Sequence, residues 1–225
     1  MRNRTKIIEL VGIQWAWKST ILEEIKIKYK HNKNIFILDQ STHDCLYTKK
    51  NVFVKIMWRI LSICKYPLEN IYFFYLAVKS KNRKMIAFNA LSYRLYILDK
   101  IKHYNIIITD EFYLHCLYRV MMQGDFSIKD SLLKKYLSFL PCIYPVFLNV
   151  NIELAMARSK NRGATYFDTL SEEKKKKLYS KNAYLAKHIA KIYCIVFWVK
   201  YRYIDASKSI EKTYNKVAKS VDDIV

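Results

Sequence analysis

The chain has 225 residues, 40 Lys and Arg against 19 Asp and Glu, and a net charge of +21. A hydrophobic share of 52 % is enough for a buried core and excludes a disordered basic tail, while only three glycines exclude glycine-rich and collagen-like architectures. The charge implies either an anionic partner (nucleotide, nucleic acid or acidic lipid) or the Lys-, Ile-, Asn- and Tyr-rich composition of an AT-rich genome.

Along the chain, apolar strand-like runs alternate with helical patterns. The first run, Lys6–Val11, is β-branched and ends at Gly12. A helix is predicted over Ser19–Tyr29, from Ile21, Leu22, Ile25 and Ile27. A second strand, Asn34–Asp39, ends on a carboxylate. Helices follow at Val52–Cys64, Leu68–Ala77 and Met85–His103. Asn105–Asp110 is the third strand and again closes on an acidic residue. Helices at Leu114–Gln123 and Ser127–Ser138 precede a fourth strand, Pro145–Val150. Next come helix Ile152–Arg158, a long helix Ser171–Lys200, a weaker strand Tyr201–Asp205 and a last helix Ile210–Val221. The strands are continuous rather than alternating, as expected where both faces are covered. The order predicts an α/β fold, a three-layer doubly wound parallel sheet of about five strands. The charged run Glu172–Lys177 fits a solvated first helical turn, with its Glu residues at the favourable dipole end.

The segment Gly12-Ile-Gln-Trp-Ala-Trp-Lys-Ser-Thr20 lies between the first strand and the first helix, the context of a phosphate loop GxxxxGK[ST]. Gly12, Lys18 and Ser19 fall on that pattern, and Trp17 stands at its second glycine. In such a loop successive backbone N–H groups and a helix N-terminus surround phosphate, the lysine reaches the β- and γ-phosphates and the serine hydroxyl faces Mg²⁺. Gln14, Trp15, Ala16 and Trp17 supply the loop backbone, and Thr20 lies one residue into the helix. Asp110 and Glu111 follow an apolar run, so one carboxylate there can hold Mg²⁺, accept a proton or cap the next helix. His43 near Asp39 and His115 near Glu111 line the cleft or pack. Arg158 and Arg162, four apart, share a helical face and are suited to phosphate by their planar forks.

With glycine at positions 15 and 17 the loop would read VGIQGAGKST. The chain resembles P-loop nucleoside and nucleotide kinases, most of all thymidylate kinase-like proteins, with a degenerate Walker A loop. The resemblance implies one P-loop kinase-like domain over 1–225 with a helical lid at about 158–172. It implies ATP and Mg²⁺ as cofactors, with Lys18, Asp110, Arg158 and Arg162 in catalysis and Ser19 and Asp110 at the metal. Asp39 takes the place of an acidic residue that positions the acceptor, and Glu111 that of an arginine that contacts the acceptor's phosphate. Arg158…Arg162-Gly163 matches the RxxxRG of the lid.

The resulting expectation is ATP-dependent phosphoryl transfer to a nucleoside monophosphate, thymidylate-like, or a similar small acceptor. The alternative is an impaired kinase fold that senses nucleotide or binds partners because Trp15 and Trp17 block the loop. Trp58 and Trp198 are expected in the core. Five cysteines without a CxxC, no signal-like start and no apolar stretch of about 18 residues lead to an expected cytoplasmic location. A homodimer is compatible with the apolar helices Val52–Cys64 and Leu68–Ala77. Scattered tyrosines with no nucleic-acid-binding motif place nucleic acid last among the partners.

Overall fold

The computed structural model describes residues 5–13, 16–39, 42, 52–79, 94, 96–110, 112–123, 133–134, 137–138, 140, 142–160 and 170–225. Five strands, β1 (Lys6–Gly12), β2 (Ile35–Leu38), β3 (Ile106–Thr109), β4 (Ile143–Asn149) and β5 (Arg202–Asp205), form one parallel sheet in the order β2-β3-β1-β4-β5. The helices are α1 (Lys18–Lys28), α2 (Val52–Lys65), α3 (Pro67–Lys79), α4 (Tyr113–Gln123), α5 (Ile152–Lys160), α6 (Glu172–Phe197) and α7 (Ile210–Asp222). Residues 96–101 are also helical. The expected three-layer doubly wound fold is therefore observed.

Continuous apolar strands follow from burial on both faces. Ile7, Val11, Ile107 and Phe147 pack against α4 and α6, whereas Ile8, Leu10, Ile108 and Leu148 pack against α1 and α7. The central strand β1 is flanked by β3 and β4, and the chain crosses from one side of it to the other between them. Ligands in such sheets bind beyond the carboxyl ends of the strands at this reversal. The loop after β1, Asp39 after β2 and Asp110 after β3 all lie at that edge.

Several boundaries differ from the sequence expectation. β4 begins at Ile143 and takes Pro145 into its interior, where a missing N–H is normally excluded. Ile7 N–H donates to the Cys142 carbonyl at 3.2 Å, and Ile143 N–H donates to the Tyr193 hydroxyl of α6 at 2.6 Å. Because backbone groups alternate sides, Pro145 turns its nitrogen, like that of Ile143, away from β1. Pairing with β5 starts only at Val146 opposite Arg202, so the missing donor falls before that ladder begins. The long helix starts as expected, with Ser171 accepting from Lys174 N–H, but ends at Phe197. Trp198 closes it in the left-handed conformation, φ 54°, and is 95 % exposed. The expectation of a core Trp198 is thus corrected: a residue turned out by a left-handed cap has no layer to enter. Trp58 does pack against the core and stacks on Tyr96 at 4.3 Å. Of the expected helix Met85–His103 the described helical residues are Arg94 and 96–101, and His103 lies in a turn. Most of Ser127–Ser138, and Gly124, fall outside the described residues.

The last helix is tied to the first by Asp222. Its carboxylate accepts from Lys28 Nζ at 2.6 and 2.7 Å and from the Tyr29 hydroxyl. These bonds, Lys28 first, hold the Asp222 carboxyl below the ordinary carboxylate range. A lowered folded-state value contributes stability above a pH of roughly 4, and that contribution disappears as pH falls through the folded value. Chemical denaturation of wild type and Asp222→Asn is expected to show a stability difference at neutral pH that shrinks towards zero in acid.

Candidate functional site

Gly12 ends β1 at a place where a side chain cannot fit. A Cβ on it would lie 2.5 Å from the Leu148 carbonyl oxygen of β4. Glycine is therefore required by the approach of two central strands, and the loop leaves β1 close against β4. The left-handed residue of the loop is Trp17, φ 61°, which stands at the N-cap of α1. That is the conformation in which glycine carries no penalty, while other L-residues lose roughly 1 kcal/mol. The indole packs against the core layer of α1 and α7, and the Arg158 guanidinium of α5 lies over the ring, 4.3 Å from its centroid. Its Nε1 is buried and has no hydrogen-bond partner among the described residues. Ala16 is fully buried, and Thr20 sits half-buried in the first turn of α1.

Lys18 begins α1 and is 7 % exposed. Its ammonium donates to the Gly12 carbonyl at 2.9 Å and lies 3.2 Å from His115 Nδ1 on α4. The roles in this contact depend on the His115 tautomer; an ammonium, which has no acceptor capacity, is matched by an accepting Nδ1 with the ring proton on Nε2. The Tyr118 hydroxyl, one turn on, reaches the same Gly12 carbonyl at 3.4 Å. Ser19 Oγ donates to Asp110 Oδ2 at 2.7 Å, joining the start of α1 to the end of β3.

The start of α4 is held by Glu9, a residue the sequence reading did not single out. Glu9 is fully buried on β1, and its carboxylate accepts from Phe112 N–H at 3.1 Å, Leu114 N–H at 3.0 Å and His115 N–H at 2.8 Å. Burial pushes its carboxyl upward, opposed by those three N–H bonds and by Arg94. The helix-capping role considered for Asp110 is thus filled at these three donors by Glu9, and an Asp110 oxygen meets Ser19 instead. The available sequence signal was one acidic residue inside the otherwise apolar run Lys6–Val11.

The other carboxylates and arginines lie around this centre. Asp39, 4 % exposed, accepts from Thr42 N–H at 2.7 Å and from Lys26 Nζ of α1. The Asp39 bond raises Lys26 above the ordinary lysine value. Arg158 donates through both terminal nitrogens to the Ala206 carbonyl, at 3.2 and 3.3 Å, just past β5. Burial lowers the Arg158 value. Its guanidinium is thus shared between the Trp17 ring and the β5 terminus. Gln14, Trp15, His43, Glu111, Arg162 and Gly163 lie outside the described residues.

Mg²⁺ binds oxygen donors, usually one or two carboxylates together with substrate phosphates and water. Ser19 Oγ and the Asp110 carboxylate, side by side at the mouth of the loop, are such a donor pair. Among the described residues there is no cluster of three or more His, Cys, Asp or Glu.

No family model and no curated protein sequence matches the chain. Solved structures do. Deoxyadenosine kinase from M. mycoides with bound dATP, and the same enzyme with bound dCTP, each superpose with a TM-score of 0.53 at 18 % identity. A third structure, with products dCMP and a flexible dCDP, gives 0.53 at 16 % identity. All three matches cover 97 % of this chain and 100 % of the other. At such identity the likeness establishes the fold alone, a five-stranded parallel sheet with helices on both faces. No described helix is long and apolar enough to cross a membrane.

Two substitutions test the loop. Gly12→Ala drives a Cβ into the Leu148 carbonyl and is expected to destabilise the protein by roughly 2–3 kcal/mol, read by chemical denaturation. Trp17→Gly and Trp17→Ala both lose the indole, but only alanine retains the left-handed strain. Glycine is expected to be the more stable of the two by about 1 kcal/mol. Equal stability would count against the left-handed cap.

Proposed function

We propose that the chain is an ATP-dependent phosphotransferase that acts on a nucleoside or nucleoside monophosphate. The reading rests on one observation above the others: Lys18 and Ser19 open a helix directly after the central strand, with Ser19 bonded to the carboxylate that ends the neighbouring strand. Fold likeness to a deoxyadenosine kinase supports the substrate class. A thymidylate-like monophosphate stays within the proposal, as do a cytoplasmic location and a homodimer through α2 and α3.

In this reading the first N–H groups of α1 and the Lys18 ammonium bind the β- and γ-phosphates. Ser19 Oγ and the Asp110 carboxylate would hold Mg²⁺, whose charge would offset that of the phosphate oxygens. The acceptor oxygen attacks the γ-phosphorus, an O–P bond forms, and the bond to the bridging β–γ oxygen breaks to leave ADP. A hydroxyl acceptor gives its proton to a carboxylate at the strand ends, Asp39 or Asp110. Glu111 contacts the acceptor, and Arg158 with Arg162 brings positive charge to the transferring group once Arg158 leaves the Ala206 carbonyl.

A second reading is carried by Trp17. Its ring lies under the Arg158 guanidinium, which is bonded to the Ala206 carbonyl, an arrangement that suits a kinase fold that binds nucleotide without turnover. The two are separated by incubating the protein with ATP, Mg²⁺ and a panel of nucleosides and nucleoside monophosphates while following ADP and tryptophan fluorescence. The expected result is ADP formation with at least one acceptor, reduced roughly a hundredfold or more in Lys18→Ala. Saturable fluorescence change with no ADP for any acceptor would establish the binding module instead. Neither signal would overturn both readings.

A further inference from the structure

We infer that His115 is the positioning residue of the phosphate-loop lysine. Its unprotonated Nδ1 and the Gly12 carbonyl hold the Lys18 ammonium at the mouth of the loop, ready for a polyphosphate. The inference deepens the phosphotransferase reading and rests on it for the identity of the ligand, though not for the geometry.

A lysine side chain has about four rotatable bonds and reaches a fixed place only where acceptors define it. Lys18 is buried, so its ammonium has exchanged water for protein acceptors. The two described above, a carbonyl and an imidazole nitrogen, are both neutral. Hydrogen bonds to neutral acceptors are weaker than those to a carboxylate, so an incoming phosphate oxygen can displace one of them. A carboxylate in the place of His115 would instead form a buried ion pair, which is costly to break.

The imidazole is itself set by packing. His115 is 2 % exposed, and its ring meets the Tyr118 ring edge-on at 4.7 Å. Its backbone N–H is fixed to Glu9 Oε1. The chain of constraint therefore runs from β1 through Glu9 to the first turn of α4, from there through His115 to Lys18, and back to β1 at Gly12. Every link is a hydrogen bond or a ring contact between buried groups. A histidine in the first turn of a helix also faces the positive end of the dipole, which favours the neutral ring that the Lys18 contact requires.

Two measurements test this. The first needs no activity: ¹⁵N NMR of histidine side chains in the ligand-free protein, with the His115 resonances identified by their loss in His115→Asn. An Nε2–H tautomer is expected, with an Nδ1 resonance that shifts in Lys18→Met. An Nδ1–H tautomer, an imidazolium at neutral pH, or no response to Lys18→Met would overturn the inference whatever the protein does with ATP. The second compares MgATP binding by calorimetry in His115→Leu and His115→Asn. The leucine variant removes the acceptor, and asparagine places an amide oxygen near the position of Nδ1. Leucine is expected to weaken MgATP binding at least tenfold and asparagine to restore it to within about threefold of wild type. Equal weakening in both variants, with thermal unfolding at the wild-type temperature, would overturn the positioning role. If wild type binds no MgATP, the phosphotransferase reading falls and the NMR result still decides the claim about His115.

Discussion

The arrangement of the site depends on a carboxylate placed where carboxylates are seldom found. Glu9 lies in the middle of the central strand, with no access to water, and accepts the N–H groups of Phe112, Leu114 and His115. A buried carboxylate is costly unless hydrogen-bonded, and the open donors at a helix N-terminus need partners. Each deficit answers the other. The result fixes the start of α4 relative to β1, so the direction in which β3 hands the chain to α4 is set by the strand beside it. That frees an Asp110 oxygen for Ser19 and brings His115 to Lys18.

A second constraint acts on the other side of β1. Gly12 has to be glycine because β4 passes so close that its Leu148 carbonyl occupies the space of a side chain. Such contact explains why this glycine is kept in a chain that has only three. The left-handed turn into α1 follows a different logic. Trp17 accepts a strained backbone and is held by packing with the core and by the Arg158 guanidinium over its ring. An aromatic residue there joins the loop to α5 and, through Arg158, to the end of β5. The loop is thereby coupled to the helix that leads into the expected lid, a coupling that glycine at this position could not make.

Much of this was legible in the sequence. The strands of a parallel sheet buried on both faces are continuous apolar runs, so about five of them, with their places along the chain, could be read directly. A candidate phosphate loop could be read from Gly12, Lys18 and Ser19 between a strand and a helix, and Asp39 and Asp110 as strand-end carboxylates from their places after apolar runs. What escaped were relations across space. Glu9 meets α4, and His115 meets Lys18, only because the topology sets α4 beside β1. Nothing in a tryptophan marks a left-handed residue, so Trp17 and Trp198 gave no warning of their backbone. Trp198 in particular read as core from its apolar neighbours, yet the helix ends one residue before it. The apolar composition of α2 and α3 was equally plain, but not that Phe53, Ile60, Leu68 and Phe74 would stand exposed.

The account centres on a single claim: Lys18, Ser19 and Asp110 form a polyphosphate site. The most direct test is a crystal structure with a non-hydrolysable ATP analogue and Mg²⁺. The account predicts phosphate density over the N-terminus of α1, the Lys18 ammonium moved from the Gly12 carbonyl onto a phosphate oxygen, and the metal between Ser19 and Asp110. An analogue bound elsewhere, or a loop in which Lys18 keeps its bonds to the Gly12 carbonyl and His115 at saturating ligand, would contradict it.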